Sequence, residues 1–288
     1  MNGPRSVTRA SDLREELAFW RRAGETVALV PTMGALHEGH LSLVAHGRRS
    51  AARTIVSIFV NPTQFAPEED FGAYPRTLEA DLEKLGRVGV DLVFAPNQDE
   101  LYPPGFATTV LVGGPAAAGL EDRFRPSHFA GVATIVAKLL ILTHPDQAVF
   151  GEKDFQQLAV IRRLVRDLDI PAQILGVPIV RESDGLAMSS RNAYLSAGER
   201  ETAPILHREM ERASALASDG VALAQAVSQA RERIEQAGFA VDYLELRDSE
   251  TLGAPNESTS ALRLLAAARL GRTRLIDNIA WPCFKARQ

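Results

Sequence analysis

The chain has 288 residues, 45% of them hydrophobic, and a net charge of −4. Two domains with sizeable cores fit that length and composition, which exclude a disordered chain and offer no electrostatic case for a nucleic-acid partner. The single cysteine, Cys283, excludes an intrachain disulfide and a cysteine-cluster metal site and reads as structural.

Residues 11–23 read as an amphipathic helix stopped by Gly24. Strand-like runs then recur at 26–30, 54–60, 91–95, 108–112 and 148–151. Helical patterns lie between them at 41–51, 78–88, 129–142 and 155–168, and Leu78, Leu82 and Leu85 repeat at helical spacing. Strands alternating with helices imply βαβ units and a mostly parallel sheet with right-handed crossovers. The character changes near Val180. Ser196-Ala197-Gly198-Glu199 reads as a capping box opening one helix to about residue 217. A second helix covers 221–237 and ends at Gly238. Runs at 241–247, 261–268 and 274–279 read as strands, although 262–270 also has helical propensity. The expected fold class is α/β: a mostly parallel-sheet domain over 1–179 and a smaller α+β domain over 180–288. Residues 1–5 lack the apolar core of a signal peptide, and apolar runs such as 139–142 are too short to span a bilayer. A cytoplasmic protein without a membrane partner is the expectation.

The densest chemistry sits in Pro31-Thr32-Met33-Gly34-Ala35-Leu36-His37-Glu38-Gly39-His40, where the strand ending at Val30 hands over to a helix. In an open α/β sheet that crevice binds ligands, and a helix N-terminus suits phosphate. The two glycines allow close backbone approach, and the two imidazoles can contact phosphate oxygens and stabilise charge during transfer. Alone, this H-x-G-H pattern reads equally as a strand–turn–helix with two satisfied histidines. Three further segments supply matching chemistry. Asn61-Pro62-Thr63-Gln64-Phe65 follows the second strand, and a neutral glutamine orients a carboxylate without cancelling its charge; its plain alternative is an Asn-Pro turn. Gly151-Glu152-Lys153-Asp154-Phe155-Gln156-Gln157 follows another strand. Lys153 suits phosphate, Asp154 either caps the helix or reaches a phosphate-bound Mg²⁺, and Gln157 lies about a turn into the helix. Met188-Ser189-Ser190-Arg191-Asn192 reads as a mobile triphosphate clamp or as a polar linker. Arg125 reads as a carboxylate partner or a structural contact, and His128 as a cap or core residue. No P-loop, Gly-x-Gly-x-x-Gly or Gly-x-Ser-x-Gly motif is present, which disfavours P-loop kinases, dinucleotide oxidoreductases and serine hydrolases.

In order and spacing these four segments resemble the pantoate–β-alanine ligases, the pantothenate synthetase family, across nearly the whole chain. The resemblance implies ATP-dependent condensation of pantoate with β-alanine to pantothenate through pantoyl adenylate, releasing AMP and pyrophosphate. It also implies Mg²⁺, a cytoplasmic homodimer and a Rossmann-like ATP- and pantoate-binding domain with a smaller α+β lid domain. By the same resemblance, ATP contacts fall on Met33, Gly34, Ala35, Leu36, His37, Glu38, Gly39, His40, Gly151, Glu152, Lys153, Asp154, Val180, Met188, Ser189, Ser190 and Arg191. His40, Lys153 and Arg191 carry catalysis, with His40 as proton donor. Gln64 and Gln157 hold pantoate, Gln64 also meets β-alanine, and Asp154 reaches the metal. Asp122 and Ser127 stand where relatives commonly have glycine, which leaves the Arg125 segment the least defined. The rival readings are a different H-x-G-H nucleotidylyltransferase and a non-catalytic nucleotide-binding module.

Overall fold

The computed structural model describes residues 4–66, 71–256 and 259–281, so Cys283 lies outside the described residues. One sheet contains β1 (Arg5–Val7), β2 (Val27–Thr32), β3 (Arg53–Ile58), β4 (Leu92–Phe94), β5 (Gln147–Gly151) and β6 (Gln173–Val177). Its order is β1-β4-β3-β2-β5-β6, and every pairing is parallel. The helices around it are α1 (Ala10–Arg22), α2 (Glu38–Ser50), α3 (Leu78–Arg87), α4 (Gln98–Leu101), α5 (Glu121–Phe124), α6 (His128–Thr143) and α7 (Phe155–Asp167). Successive strand residues serve opposite faces of the sheet. Leu29, Ile55, Leu92, Phe94 and Phe150 pack with α1, α6 and α7. Val30, Val56, Val93 and Val149 pack on the other face with α2 and α3. Burial on both faces explains why these strands read as continuous apolar runs.

The second sheet is antiparallel, in the order β7 (Phe239–Asp248), β8 (Leu262–Leu270) and β9 (Thr273–Trp281). It packs with α9 (Ile205–Ser218) and α10 (Leu223–Gln236) over a separate core that includes Met210, Ala230, Leu264 and Ala266. Pairing on both edges makes 262–270 a strand, against its helical propensity. A fourth apolar cluster joins the two halves: Leu120, Phe155 and Ala159 meet Tyr243, Leu252, Leu265 and Ala267. Beside it, Arg274 reaches Glu121 through two hydrogen bonds of 2.7 and 2.8 Å, and the Tyr243 hydroxyl donates to the same carboxylate at 2.8 Å. Burial pushes Glu121 up, but the hydrogen bonds and charge of Arg274 outweigh it and hold the carboxyl below its usual range.

The structure corrects the sequence reading at several elements. Residues 108–112 join no sheet; instead the Val110 N–H donates to Thr134 Oγ1 of α6 at 2.9 Å. The helix expected over 196–217 is two, α8 (Ala197–Thr202) and α9. The break falls at Ala203-Pro204, because proline has no N–H to continue the ladder. The Ser196–Glu199 capping box does open α8. The edge strands β1 and β6 escaped the pattern reading. β1 is only three residues long, and β6 contains Gly176 and buries only Val177.

Candidate active site

Strand order reverses at β2, whose successors run to β3 on one side while β5 lies on the other. The carboxyl ends of β2 and β5 therefore open on the crevice where such sheets bind ligands. At the end of β2 the chain turns through Gly34 at φ 82° and Ala35 at φ 50°. Asp81 of α3, fully buried, accepts from the N–H groups of Ala35 and Leu36 at 2.9 and 2.8 Å. Lys84 of the same helix donates to the Leu36 carbonyl at 2.6 Å. The turn is thus pinned from both polarities by one helix.

The H-x-G-H residues then cap α2 by themselves. His37 Nδ1 accepts from the Gly39 N–H at 3.2 Å, and His40 Nδ1 accepts from the His37 N–H at 3.4 Å. This is a capping box made of two imidazoles, with ring centroids 4.1 Å apart. A Cβ on residue 39 would sit 2.8 Å from the His37 ring, so the intervening glycine is what lets His37 fold back. With both Nδ1 atoms accepting, the hydrogen bonds assign each proton to Nε2. Burial in the crevice, aided by Lys153 and Lys84, pushes His37 down to about 4. Burial, the neighbouring His37 and the same lysines push His40 down to about 3. Near neutral pH both rings are uncharged Nε2–H donors.

After β3, Asn61 orders the next segment. It accepts from the Tyr102 hydroxyl at 2.9 Å, donates to Gln64 Oε1 at 3.2 Å and donates to the Gly131 carbonyl at 3.2 Å. Gln64 Oε1 is thus engaged, and its Nε2 donates to Met33 Sδ at 2.9 Å. The Gly131 backbone approaches so closely that a Cβ there would meet the Thr63 carbonyl at 2.3 Å. His128, buried, donates from Nδ1 to the Gln64 carbonyl at 2.9 Å, while Arg125 reaches the same carbonyl at 3.2 Å. Burial, with Arg125 adjacent, pushes His128 down to about 4. Both residues thus make structural contacts under Gln64. Asp122 accepts from the Gly119 and Leu120 N–H groups and from Gln156 Nε2, which orders the loop before Arg125. Ser127 makes no side-chain cap on α6.

At the end of β5, a 3₁₀ turn (Glu152–Asp154) leads into α7. Asp154 makes no side-chain cap, which leaves its exposed carboxylate at the cavity. The loop over 180–191 folds back as a hairpin: Arg181 bridges Ala187, and the Met188 N–H donates to the Val180 carbonyl at 3.0 Å. Ser189 Oγ accepts from the Arg191 N–H at 3.3 Å, and Ser190 Oγ donates to the Ala35 carbonyl at 3.1 Å, tying this loop to the histidine turn.

One cavity gathers most of the expected residues. Met33, His37, Gly39 and His40 line it from β2, Gln64 from β3, and Gly151, Lys153, Asp154 and Gln157 from β5. Val180, Met188, Ser189, Ser190 and Arg191 line it from the hairpin. Gly34, Ala35, Leu36, Glu38 and Glu152 do not line it. Gly34 and Ala35 build the turn, Leu36 packs in the core, Glu38 is exposed in the first turn of α2, and Glu152 pairs with Arg263 at 2.9 Å. The cavity continues towards the second sheet, where Lys153, Asp154, Ser189 and Arg191 also face Arg274 and Asp277. Asp81, Asn61 and Gly131 are the supporting residues that the sequence reading missed. Asp81 had a signal, since it falls on the Leu78/Leu82/Leu85 side of its helix. Asn61 was read only as the start of an Asn-Pro turn, and Gly131 had no signal beyond residue type.

A parallel sheet whose strand-order reversal carries a His-x-Gly-His cap defines the H-x-G-H class of α/β proteins. Comparison with known proteins narrows this. The family profile described as pantoate-beta-alanine ligase matches residues 5–280. The pantothenate synthetase of Nitrobacter hamburgensis is 57% identical over 269 residues, covering 93% of this chain and 95% of that protein. That of Mesorhizobium japonicum is 53% identical over 283 residues, covering 98% and 99%. The Thermus thermophilus pantothenate synthetase crystal structure superposes with a TM-score of 0.91 at 47% identity, covering 96% of this chain and all of that one. A pantoate-beta-alanine ligase from Francisella tularensis, complexed with beta-gamma ATP and beta-alanine, gives 0.80 at 32% identity, covering 96% and 97%. The chain belongs to the pantoate-beta-alanine ligase family.

Proposed function

We propose that this chain condenses pantoate with β-alanine using ATP, yielding pantothenate, AMP and pyrophosphate through bound pantoyl adenylate. The observation that carries the reading is the convergence of His40, Lys153, Gln64 and Ser190-Arg191 on one cavity at the reversal of strand order. A carboxylate does not react directly with an amine, because its oxygen is a poor leaving group. In the first step a pantoate oxygen bonds to the α-phosphorus of ATP and pyrophosphate leaves. In the second, the β-alanine nitrogen bonds to the acyl carbon, AMP leaves and the amine gives up a proton.

The catalytic roles fall on His40, Lys153 and Arg191. Lys153 and Arg191 supply fixed positive charge to the phosphates, and Ser189 and Ser190 supply hydroxyls. His40 and His37 act as neutral Nε2–H donors to phosphate oxygens, so His40 donates a hydrogen bond from an uncharged ring. Gln64 and Gln157 orient pantoate through neutral amides, which leaves the attacking carboxylate its charge. Gln64 also faces the amine, and the 188–191 loop closes over ATP. Among the described residues no group of three or more His, Cys, Asp or Glu forms a metal cage. A lone exposed carboxylate, Asp154, fits Mg²⁺ held mostly by phosphates and water, and that ion supplies charge neutralisation at the phosphates.

We assign 1–179 to the ATP- and pantoate-binding domain and 180–288 to the smaller domain. A cytoplasmic homodimer completes the proposal. Leu111 and Ile141, 80% and 62% exposed, offer apolar surface to a second copy.

The test is AMP release with ATP, pantoate and β-alanine, each omitted in turn. Labelled pyrophosphate should exchange into ATP with pantoate present and β-alanine absent. Oxygen label from the pantoate carboxylate should appear in AMP. Exchange that strictly requires β-alanine, or AMP without label, rejects the adenylate route.

A further inference from the structure

We infer that Asn278 of β9 is a positioning residue for Lys153, acting across the boundary between the two sheets; this rests on the reading of Lys153 as the phosphate-binding cation. Asn278 is 2% exposed. Its Nδ2 donates to the carbonyls of Glu152 and Lys153, each at 2.9 Å. Those carbonyls belong to the two peptide planes that flank the Lys153 Cα. One side-chain amide therefore fixes both planes, and with them the direction in which the lysine leaves the backbone.

The amide is itself held from behind. Its Oδ1 accepts from Arg263 Nε at 2.6 Å. Arg263 also donates to the Glu152 carboxylate at 2.9 Å, and its guanidinium lies 4.0 Å from the centre of the Phe155 ring. The backbone N–H of Asn278 donates to Asp277, whose carboxylate receives Arg181 at 2.7 and 2.9 Å. Neither end of the 152–154 turn has a side-chain cap of its own. The support that a local cap would supply comes instead from a strand 125 residues further along the chain.

This matters because lysine is a point charge on a flexible stem, and side-chain freedom of about 2 kcal/mol must be overcome to place it. Fixing the base of the stem narrows the volume the ammonium sweeps. A misplacement of about 1 Å at a reacting centre costs on the order of 10²-fold in rate. Asparagine suits the task chemically, since two donors on one nitrogen match two acceptors. Aspartate has the same shape but sets a carboxylate against both carbonyls.

The experiment is a double-mutant cycle read by pyrophosphate exchange into ATP with pantoate present. Asn278→Ala and the isosteric Asn278→Asp are made in the natural chain and in the Lys153→Ala variant. In the natural chain each should lower the exchange kcat by roughly 10- to 100-fold, with the pantoate KM within about twofold. In the Lys153→Ala background the further loss should be no more than about twofold, because nothing remains to position. Equal losses in both backgrounds, or near-normal kcat for both Asn278 variants, overturn the inference. If the unsubstituted protein itself shows no exchange, the proposed reaction fails first, and that result is distinct from a failure of the Asn278 assignment.

Discussion

Two strand ends face the same cavity, and they are built in opposite ways. The turn after β2 carries its own scaffold: His37 and His40 cap α2, Gly39 makes room for the ring, and α3 of the same sheet pins the backbone through Asp81 and Lys84. The turn after β5 has no cap and takes its order from Asn278 and Arg263 in the other half. The difference separates two meanings of a sequence motif. The first motif is both the chemistry and its support. The second is chemistry alone, with the support written more than a hundred residues away.

Substitutions at the two ends sharpen this contrast. The largest effects should come from the chemistry, where the ends are equals. His40→Ala and Lys153→Ala should each lower the rate of pyrophosphate exchange on the order of 10²-fold or more, as removal of a charge-stabilising donor does. Near-normal exchange by either purified variant would break the pairing of the two ends. Next comes Asp81→Ala, which leaves two buried N–H groups of the first turn unsatisfied. Denaturant unfolding should register a loss of about 1–3 kcal/mol.

Smaller, and more telling, is the glycine comparison. Gly39→Ala puts a Cβ 2.8 Å from the His37 ring and should reduce ATP use roughly tenfold by displacing the cap. Gly151→Ala meets no protein atom closer than 3.9 Å and should cost no more than about 0.5 kcal/mol in denaturant unfolding, against about 1–3 kcal/mol for Gly39→Ala. Equal sensitivity at the two glycines would contradict the idea that only the first turn is locally packed.

The smallest effect is the share of the pH dependence of stability that the histidine turn carries. His37 and His128 titrate near 4 in the folded chain and His40 near 3, against about 6.5 when unfolded. Between those values the unfolded chain binds more protons, so stability is full above about pH 6.5 and falls as the pH drops towards 4. Replacing His37 and His40 together by Asn should lessen that slope between pH 6.5 and 5, measured by unfolding without ligands, with His128 left to carry part of it. Lys153→Ala removes one of the charges that push both rings down and should lessen the slope by a smaller amount, because burial, the larger cause, remains.

How much of this was legible in the sequence follows from the same contrast. Alternating strands and helices and the parallel sheet were readable, because each depends on residues close together in the chain, whereas the grouping of the four distant motif segments rested on their resemblance to a family. The two-imidazole cap was not foreseen, although its residues were singled out, since imidazoles rarely serve as capping acceptors. Asp81 was overlooked on a helix read only for its leucines. Residues 108–112 have a strand's composition but no strand edge to join, and composition cannot reveal a missing neighbour. Pro204 divides the helix after the capping box, a break that the reading of one helix over 196–217 passed over although proline signals it. Asn278 had no signal at all: its meaning depends on which strand crosses behind residue 152.

The apolar cluster that joins Leu120, Phe155 and Ala159 to Tyr243, Leu252, Leu265 and Ala267 has a consequence for biosynthesis. A ribosome releases the parallel-sheet half first. Until β7 and β8 emerge, Phe155 has no cover on that side, and the Glu121 carboxylate waits for an arginine at position 274. The nascent chain can hold nearly every motif residue and still be an unfinished enzyme with an adhesive face. Termination before β8 would leave a product suited to chaperones and proteases rather than to turnover. The far end of the chain acts as a checkpoint on the near end.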